Sequence, residues 1–217
     1  MTLPDWQWNE IQQIGTDYAD LAEVEAYDTR MATVRDVDLE NREILALLGL
    51  SPGAKILEIG CGTGRFARMA ASLELNVTAI DVSPIMLEFV QEKAKAEHLP
   101  EIVTQHAGFL TMHLPPACFD AAVSSAALHH LPDAWKLAAL RNIAGILKPG
   151  GQFILCDVVF TLRENESPEA YFKKFANAYP PLRAAVARHI AQEFSTYDWI
   201  MEGLIERAGF DIILKKP

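Results

Sequence analysis

Cysteine is scarce: Cys61, Cys118 and Cys156 are isolated and odd in number. That excludes a disulfide framework and fits a reducing cytoplasm, and the three share no metal-binding spacing. Positive charge is also short, with 19 Lys and Arg against 29 Asp and Glu and a net charge of -10. A surface built for nucleic acid needs clustered cations, so that class is disfavoured and the acidity reads as solubility. No apolar run approaches the ~20 residues of a membrane span. The first residues carry no basic segment followed by an apolar core, so no secretion signal is expected. There is no GK[ST] triplet, no internal repeat and no low-complexity tract. His98, His106, His113 and His189 are scattered without ligand spacing, so no metal is expected.

What is present is an alternation of strand and helix. Helical spacing of Trp6, Ile11, Ile14, Tyr18, Leu21 and Val24 predicts a helix over 5–27, and Val37, Ile44, Leu45 and Leu48 predict another over 36–48. Short apolar strands are predicted at 55–59, 77–80, 102–106, 119–124 and 152–158, with helices at 63–73, 84–97 and 133–147 between them. Ser83-Pro84 starts a helix, Asp133 is an N-cap candidate, and Lys148-Pro149-Gly150-Gly151 is a stop. This alternation implies an α/β fold with a doubly wound, mostly parallel sheet. After Val159 the pattern changes to helices at 168–178, 182–193 and 196–208, then a strand at 210–214. One domain is expected: a helical extension over 1–50, a core over 51–160, a helical cap over 161–194, and a final helix and strand over 195–217.

The core opens on Lys55-Ile56-Leu57-Glu58-Ile59-Gly60-Cys61-Gly62-Thr63-Gly64, a strand running into glycines spaced two apart. Such a turn is a nucleotide-cofactor site, because glycine lets backbone approach ligand where a Cβ would clash. The acid at Glu58 would repel a pyrophosphate and suits a cationic cofactor, which points to S-adenosylmethionine. NAD fits less well, since the position for its third glycine holds Arg65. Asp81, 23 residues beyond Glu58 at the end of the second strand, can accept both ribose hydroxyls.

The glycine run, then Asp81-Val82-Ser83-Pro84-Ile85-Met86, then Phe119-Asp120 through Leu128-His129-His130-Leu131-Pro132-Asp133, then Leu147-Lys148-Pro149-Gly150-Gly151, resembles class I S-adenosylmethionine-dependent methyltransferases over about residues 40–160. The resemblance implies a Rossmann-like sheet of seven strands, the last antiparallel. Relatives continue past the Gly209-Phe210 strand into a hairpin, and this chain stops at Pro217. Six or seven strands are therefore expected, with Lys215-Lys216 blunting an open edge. It further implies that Gly60, Cys61, Gly62 and Gly64 pass the methionine part, that Val82 and Met86 wall the adenine, and that Ser125 and Ala126 face the amino-acid end. Many relatives carry an acid after the third strand. Here His106-Ala107-Gly108-Phe109-Leu110 has Gly108 at that place, so adenine is expected to be held by backbone and by stacking on Phe109.

The expected reaction is methyl transfer to a small-molecule acceptor by in-line displacement, which needs alignment first and a base only if the acceptor loses a proton. His129, His130 and Asp157 are the candidates for that chemistry, and Arg30 for the cofactor carboxylate. Each has a plainer reading, as a helix cap, a packed side chain or a surface ion pair. Trp6, Trp8, Tyr18 and Tyr27, with Tyr171, Phe172, Phe175 and Tyr179, are candidates for the acceptor pocket, and the Phe172–Phe175 stripe reads first as core packing of a small cap. Two alternatives stay open: a binding protein without turnover, and an RNA or protein methyltransferase. The expected setting is a cytoplasmic monomer or homodimer, without nucleic-acid or membrane partners.

Overall fold

The computed structural model describes residues 4–12 and 35–216. Helix α1 (Val37–Leu48) begins at Asp36, whose carboxylate accepts from the Leu39 amide at 2.9 Å. It ends at Gly49, which takes a left-handed φ of 57°. Then follow β1 (Lys55–Ile59), α2 (Arg65–Ser72), β2 (Asn76–Asp81), α3 (Pro84–Ala96), β3 (Val103–His106), β4 (Phe119–Ser125), α4 (Asp133–Ile146) and β5 (Leu147–Cys156). The strands form one sheet in the order β3-β2-β1-β4-β5, with every pairing parallel. The order reverses beside β1, where parallel α/β sheets open their ligand crevice.

Strand β1 shows why the sheet is doubly covered. Ile56 and Leu57 are both fully buried yet point to opposite faces. Ile56 joins a core with Leu45, Ala67, Val77 and Val90 under α1, α2 and α3. Leu57 and Ile59 join the other core with Ile80, Leu140, Ile143 and Met201. Burying both sides of the strand selects the continuous apolar run seen in the sequence.

Beyond the sheet lie β6 (Val159–Phe160), α5 (Pro168–Asn177), α6 (Arg183–Gln192), β7 (Thr196–Tyr197) and α7 (Asp198–Arg207). Strands β6 and β7 pair in parallel as a small second sheet, which the sequence pattern did not suggest. Lys136 of α4 is fully buried here, donating to Asp133 at 2.8 Å and to the Phe194 carbonyl.

Four expectations are corrected. Among the described residues the central sheet has five strands, not six or seven. Residues 210–214 form no strand, and Ile213 is 88% exposed. Phe210 packs its ring on Phe153, but Lys215 pairs with Glu202 and Asp198, drawing the tail along α7 rather than along β5. Asp133 does not cap α4; Pro132 takes that position and the Asp133 carboxylate binds Lys136 and Thr196. The segment 5–12 is a series of turns rather than the start of a helix, and residues 13–27 lie outside the described residues. Trp6 stacks on Trp135, Trp8 meets Phe194 edge-on, and Glu10 is buried. Contacts two residues apart cannot all be made from one face of a helix.

Candidate active site

The turn after β1 is held by β2. The Ile80 carbonyl accepts from the amides of Gly60 at 2.9 Å and Cys61 at 3.1 Å. Asp81 accepts from the Gly62 amide at 2.8 Å and from the Ser83 amide at 2.8 Å. One carboxylate thus fixes the glycine turn and the start of α3 together. Burial pushes the Asp81 carboxyl up, and these amide hydrogen bonds oppose it.

The three glycines are needed for different reasons. A Cβ on Gly60 would lie 2.4 Å from Ala127 Cβ, and one on Gly64 would lie 2.5 Å from a Val90 methyl. Those two answer to packing inside the protein. Only at Gly62, with φ +51°, would a Cβ enter open space. Glu58 sits beneath the turn, accepting from the Ala67 amide at 3.0 Å. Its burial raises the carboxyl to about 8.

A cleft opens over the carboxyl ends of β1, β2 and β4. Gly60, Gly62 and Asp81 form one wall, and Val82, Met86, Gly108 and Phe109 another. Ser125 at the end of β4 and Ala126 just after it also line the cleft. Glu58, Cys61 and Gly64 do not line it, and Arg30 lies outside the described residues. No lysine or arginine is among the described residues that line it.

Sequence reasoning missed Glu10. It is buried, lines the cleft, and accepts from the Leu110 amide at 2.9 Å and the Thr111 hydroxyl at 2.7 Å. Burial raises its carboxyl, against the bonds from Thr111 and Leu110. Nothing near residue 10 marks it. The signal was at Gly108, where an acid was expected and absent.

The three candidates for chemistry separate. His130 lines the cleft. Burial, and then the neighbouring His129 charge, hold it down to about 4, so it is a neutral imidazole at pH 7. His129 lies behind it, with ring centroids 4.4 Å apart. Asp157, its side chain 1% exposed, accepts from His129 Nδ1 at 2.6 Å and from the His129 amide at 3.1 Å. Burial alone would lower His129, but the Asp157 carboxylate, with Glu193, raises it to about 9. Burial likewise opposes ionisation of Asp157 and Glu193, yet the histidines facing them hold both below their ordinary range.

His189, expected to be isolated, also faces Glu193. Of the described residues, His129, His189 and Glu193 bring three ligand-type atoms within 4.8 Å of one another. The aromatic set on α5 packs on itself: Phe160 meets Phe172 at 5.0 Å and Phe175 at 5.8 Å, and none of these rings lines the cleft. Tyr179 is 46% exposed, and Tyr18 and Tyr27 lie outside the described residues.

A glycine turn tied to a strand-end aspartate, above a parallel sheet of this order, matches known proteins. The family model of a methyltransferase domain matches residues 56–151. Over those residues, a little under half of its length, the chain is similar to a methyltransferase domain. The chain is 34% identical over 134 residues to a 27-O-demethylrifamycin SV methyltransferase of Amycolatopsis mediterranei, covering 60% of this chain and 48% of that one. It thus spans about half the length of that curated relative. It is 28% identical to an uncharacterized methyltransferase of Anoxybacillus flavithermus, covering 92% of each. The crystal structure of a SAM dependent methyltransferase from Aquifex aeolicus superposes with a TM-score of 0.61 at 19% identity, covering 88% of this chain and 89% of that one. At that identity the likeness is one of fold. No helix among the described residues is long and apolar enough to cross a membrane.

Proposed function

We propose that this chain transfers a methyl group from S-adenosylmethionine to a small-molecule acceptor held beside His130. The observation that carries the reading is the charge of the cleft. Asp81 and Glu10 line it, and no described lining residue is a lysine or arginine. A pyrophosphate would meet only repulsion there, whereas a sulfonium and an ammonium are attracted. The open space over Gly62 leaves room for the ligand against bare backbone.

When bound, S-adenosylmethionine supplies a methyl group already activated by its sulfonium. The work left to the chain is alignment, which contributes up to ~7–11 kcal/mol in well-oriented systems. Asp81 retains acceptor capacity for the ribose hydroxyls while holding Gly62 and Ser83. Val82, Met86 and Phe109 give the purine an apolar slot, and Glu10 accepts from its amino group. Ser125 and Ala126 face the amino-acid end. His130, neutral and in the cleft, is the residue suited to take a proton from an acceptor hydroxyl or amine. His129 and Asp157 act behind it, as a positioning pair. The excursion over 161–194 serves as a cap on the acceptor side. The cleft is concave, with Ile59, Met86, Phe109 and Leu131 giving it an apolar lining, which favours a metabolite over RNA or protein.

Calorimetry on the full chain tests the donor: S-adenosylhomocysteine should bind with 1:1 stoichiometry and NAD should not. Binding of NAD with no response to S-adenosylhomocysteine would overturn the reading. For the acceptor, release of S-adenosylhomocysteine is expected with a small-molecule panel and not with bulk RNA or protein; the opposite pattern would reassign the substrate class.

A further inference from the structure

His189 and Glu193 lie four residues apart at the end of α6, so their side chains share one face. His129, 60 residues earlier in the turn after β4, meets them there. Its Nε2 lies 3.3 Å from Glu193 Oε2, the same oxygen that faces His189 Nδ1. Bonds of about 2.0–2.1 Å at a tetrahedral ion set ligand atoms about 3.3–3.4 Å apart. The His129–Glu193 separation already has that value, and all three atoms fall within 4.8 Å of one another.

The outer ring nitrogens are equally informative. His129 Nδ1 is engaged by Asp157 Oδ1 at 2.6 Å, and His189 Nε2 by Ser195 Oγ at 2.7 Å. Each imidazole therefore has one nitrogen fixed by an oxygen partner and the other turned toward Glu193. That is the outer shell that orients metal-binding histidines. Asp157 is itself fixed, accepting from the His129 and Val158 amides.

We propose that His129 Nε2, His189 Nδ1 and the Glu193 carboxylate bind one divalent transition-metal ion of the zinc type. Two imidazoles and one carboxylate select a first-row transition ion over Mg²⁺ or Ca²⁺, which prefer oxygen sets. The ion ties the end of α6 to the turn after β4, where the Phe194 amide already donates to the His129 carbonyl at 2.8 Å. His130 follows on that turn and lines the cleft, so the ion also fixes a residue of the methyl-transfer site. The site does not depend on the identity of the donor or acceptor.

The test uses the full chain stripped of metal with a chelator and then dialysed. Titration with ZnCl₂ by calorimetry, and with CoCl₂ by visible absorption, should each saturate at one equivalent. His189→Ala and Glu193→Gln should weaken Zn²⁺ binding at least about 10-fold, and Asp157→Asn about 10-fold through loss of orientation. Cys156→Ser and Cys118→Ser should leave it unchanged. Should His189→Ala lose its circular-dichroism signature of folding, His189→Gln takes its place. The wild-type Co²⁺ spectrum then stands as a readout independent of any variant. Absence of saturable uptake by the wild type overturns the proposal. So does unchanged uptake by a folded His189 variant, or uptake abolished by Cys156→Ser.

Discussion

A side-chain carbon at Gly108 would lie 2.4 Å from Glu10 Cδ, so the carboxyl of residue 10 occupies the space where a side chain of residue 108 would begin. From there Glu10 accepts from the Leu110 amide, the bond an aspartate at 108 would make to the backbone two residues on, and also from the Thr111 hydroxyl. An acid absent from the loop is supplied by a segment nearly one hundred residues away.

Glu10→Ala should therefore weaken S-adenosylhomocysteine binding about 10- to 100-fold, the range of a hydrogen bond to a charged group. Gly108→Asp alone should destabilise the fold, because it collides with Glu10. Placed on Glu10→Ala, the same aspartate should recover most of the affinity. Calorimetry across this double-mutant cycle decides it, and a double variant that binds no better than Glu10→Ala removes the role given to Glu10.

Gly62→Ala separates ligand space from packing. A left-handed φ costs a non-glycine residue about 1–2 kcal/mol, which urea unfolding should register. Its Cβ meets nothing in the protein. Any loss of S-adenosylhomocysteine affinity is then steric, and at least a tenfold loss is expected. Unchanged affinity would mean that the ligand does not pass over Gly62.

Asp81→Asn should weaken S-adenosylhomocysteine binding more than tenfold, since the carboxylate anchors the Gly62 amide and faces the cleft together. Asp81→Ala should weaken it further and loosen the turn. Equal affinities for wild type and both variants would remove Asp81 from the site.

Glu58 sets a pH dependence. Its carboxyl is raised from 4.5 to about 8 by burial, so between those values the folded chain holds a proton that the unfolded chain has lost. Stability is then fully present below about pH 4.5 and falls as pH rises toward about 8. Glu58→Gln keeps an acceptor for the Ala67 amide and removes the titration. Denaturation midpoints should show the variant gaining on the wild type between pH 5 and pH 8; parallel curves would contradict the burial of an ionisable carboxyl there.

Lys136→Met tests the tie between α4 and the residues before β7. It leaves the part-buried Phe194 carbonyl without its donor and should cost about 1–3 kcal/mol in urea unfolding. A neutral substitution would show that water replaces the ammonium without penalty.

The central sheet was legible because β1 and its neighbours are buried on both faces, and that leaves an uninterrupted apolar run between turn signals. Asp81 was legible because strand length and loop length fix where a strand-end acid falls. The apolar pattern over 5–27 misled over residues 5–12, since tryptophans at positions 6 and 8 make the same kind of pattern whether they dock singly or along a helix. Ile212-Ile213-Leu214 reads as a strand by composition, yet its neighbouring lysine is held by acids on α7. Glu10 and the His129–His189–Glu193 group could not be found by spacing, because contacts 60 to 100 residues apart exist only once the chain is folded.

Strands β6 and β7 pair side by side, so the excursion between them departs and returns at almost one point on the molecule. Closing a longer loop between fixed ends adds only about 0.6 kcal/mol per doubling of length. A change in the length of this stretch should therefore cost the rest of the fold little.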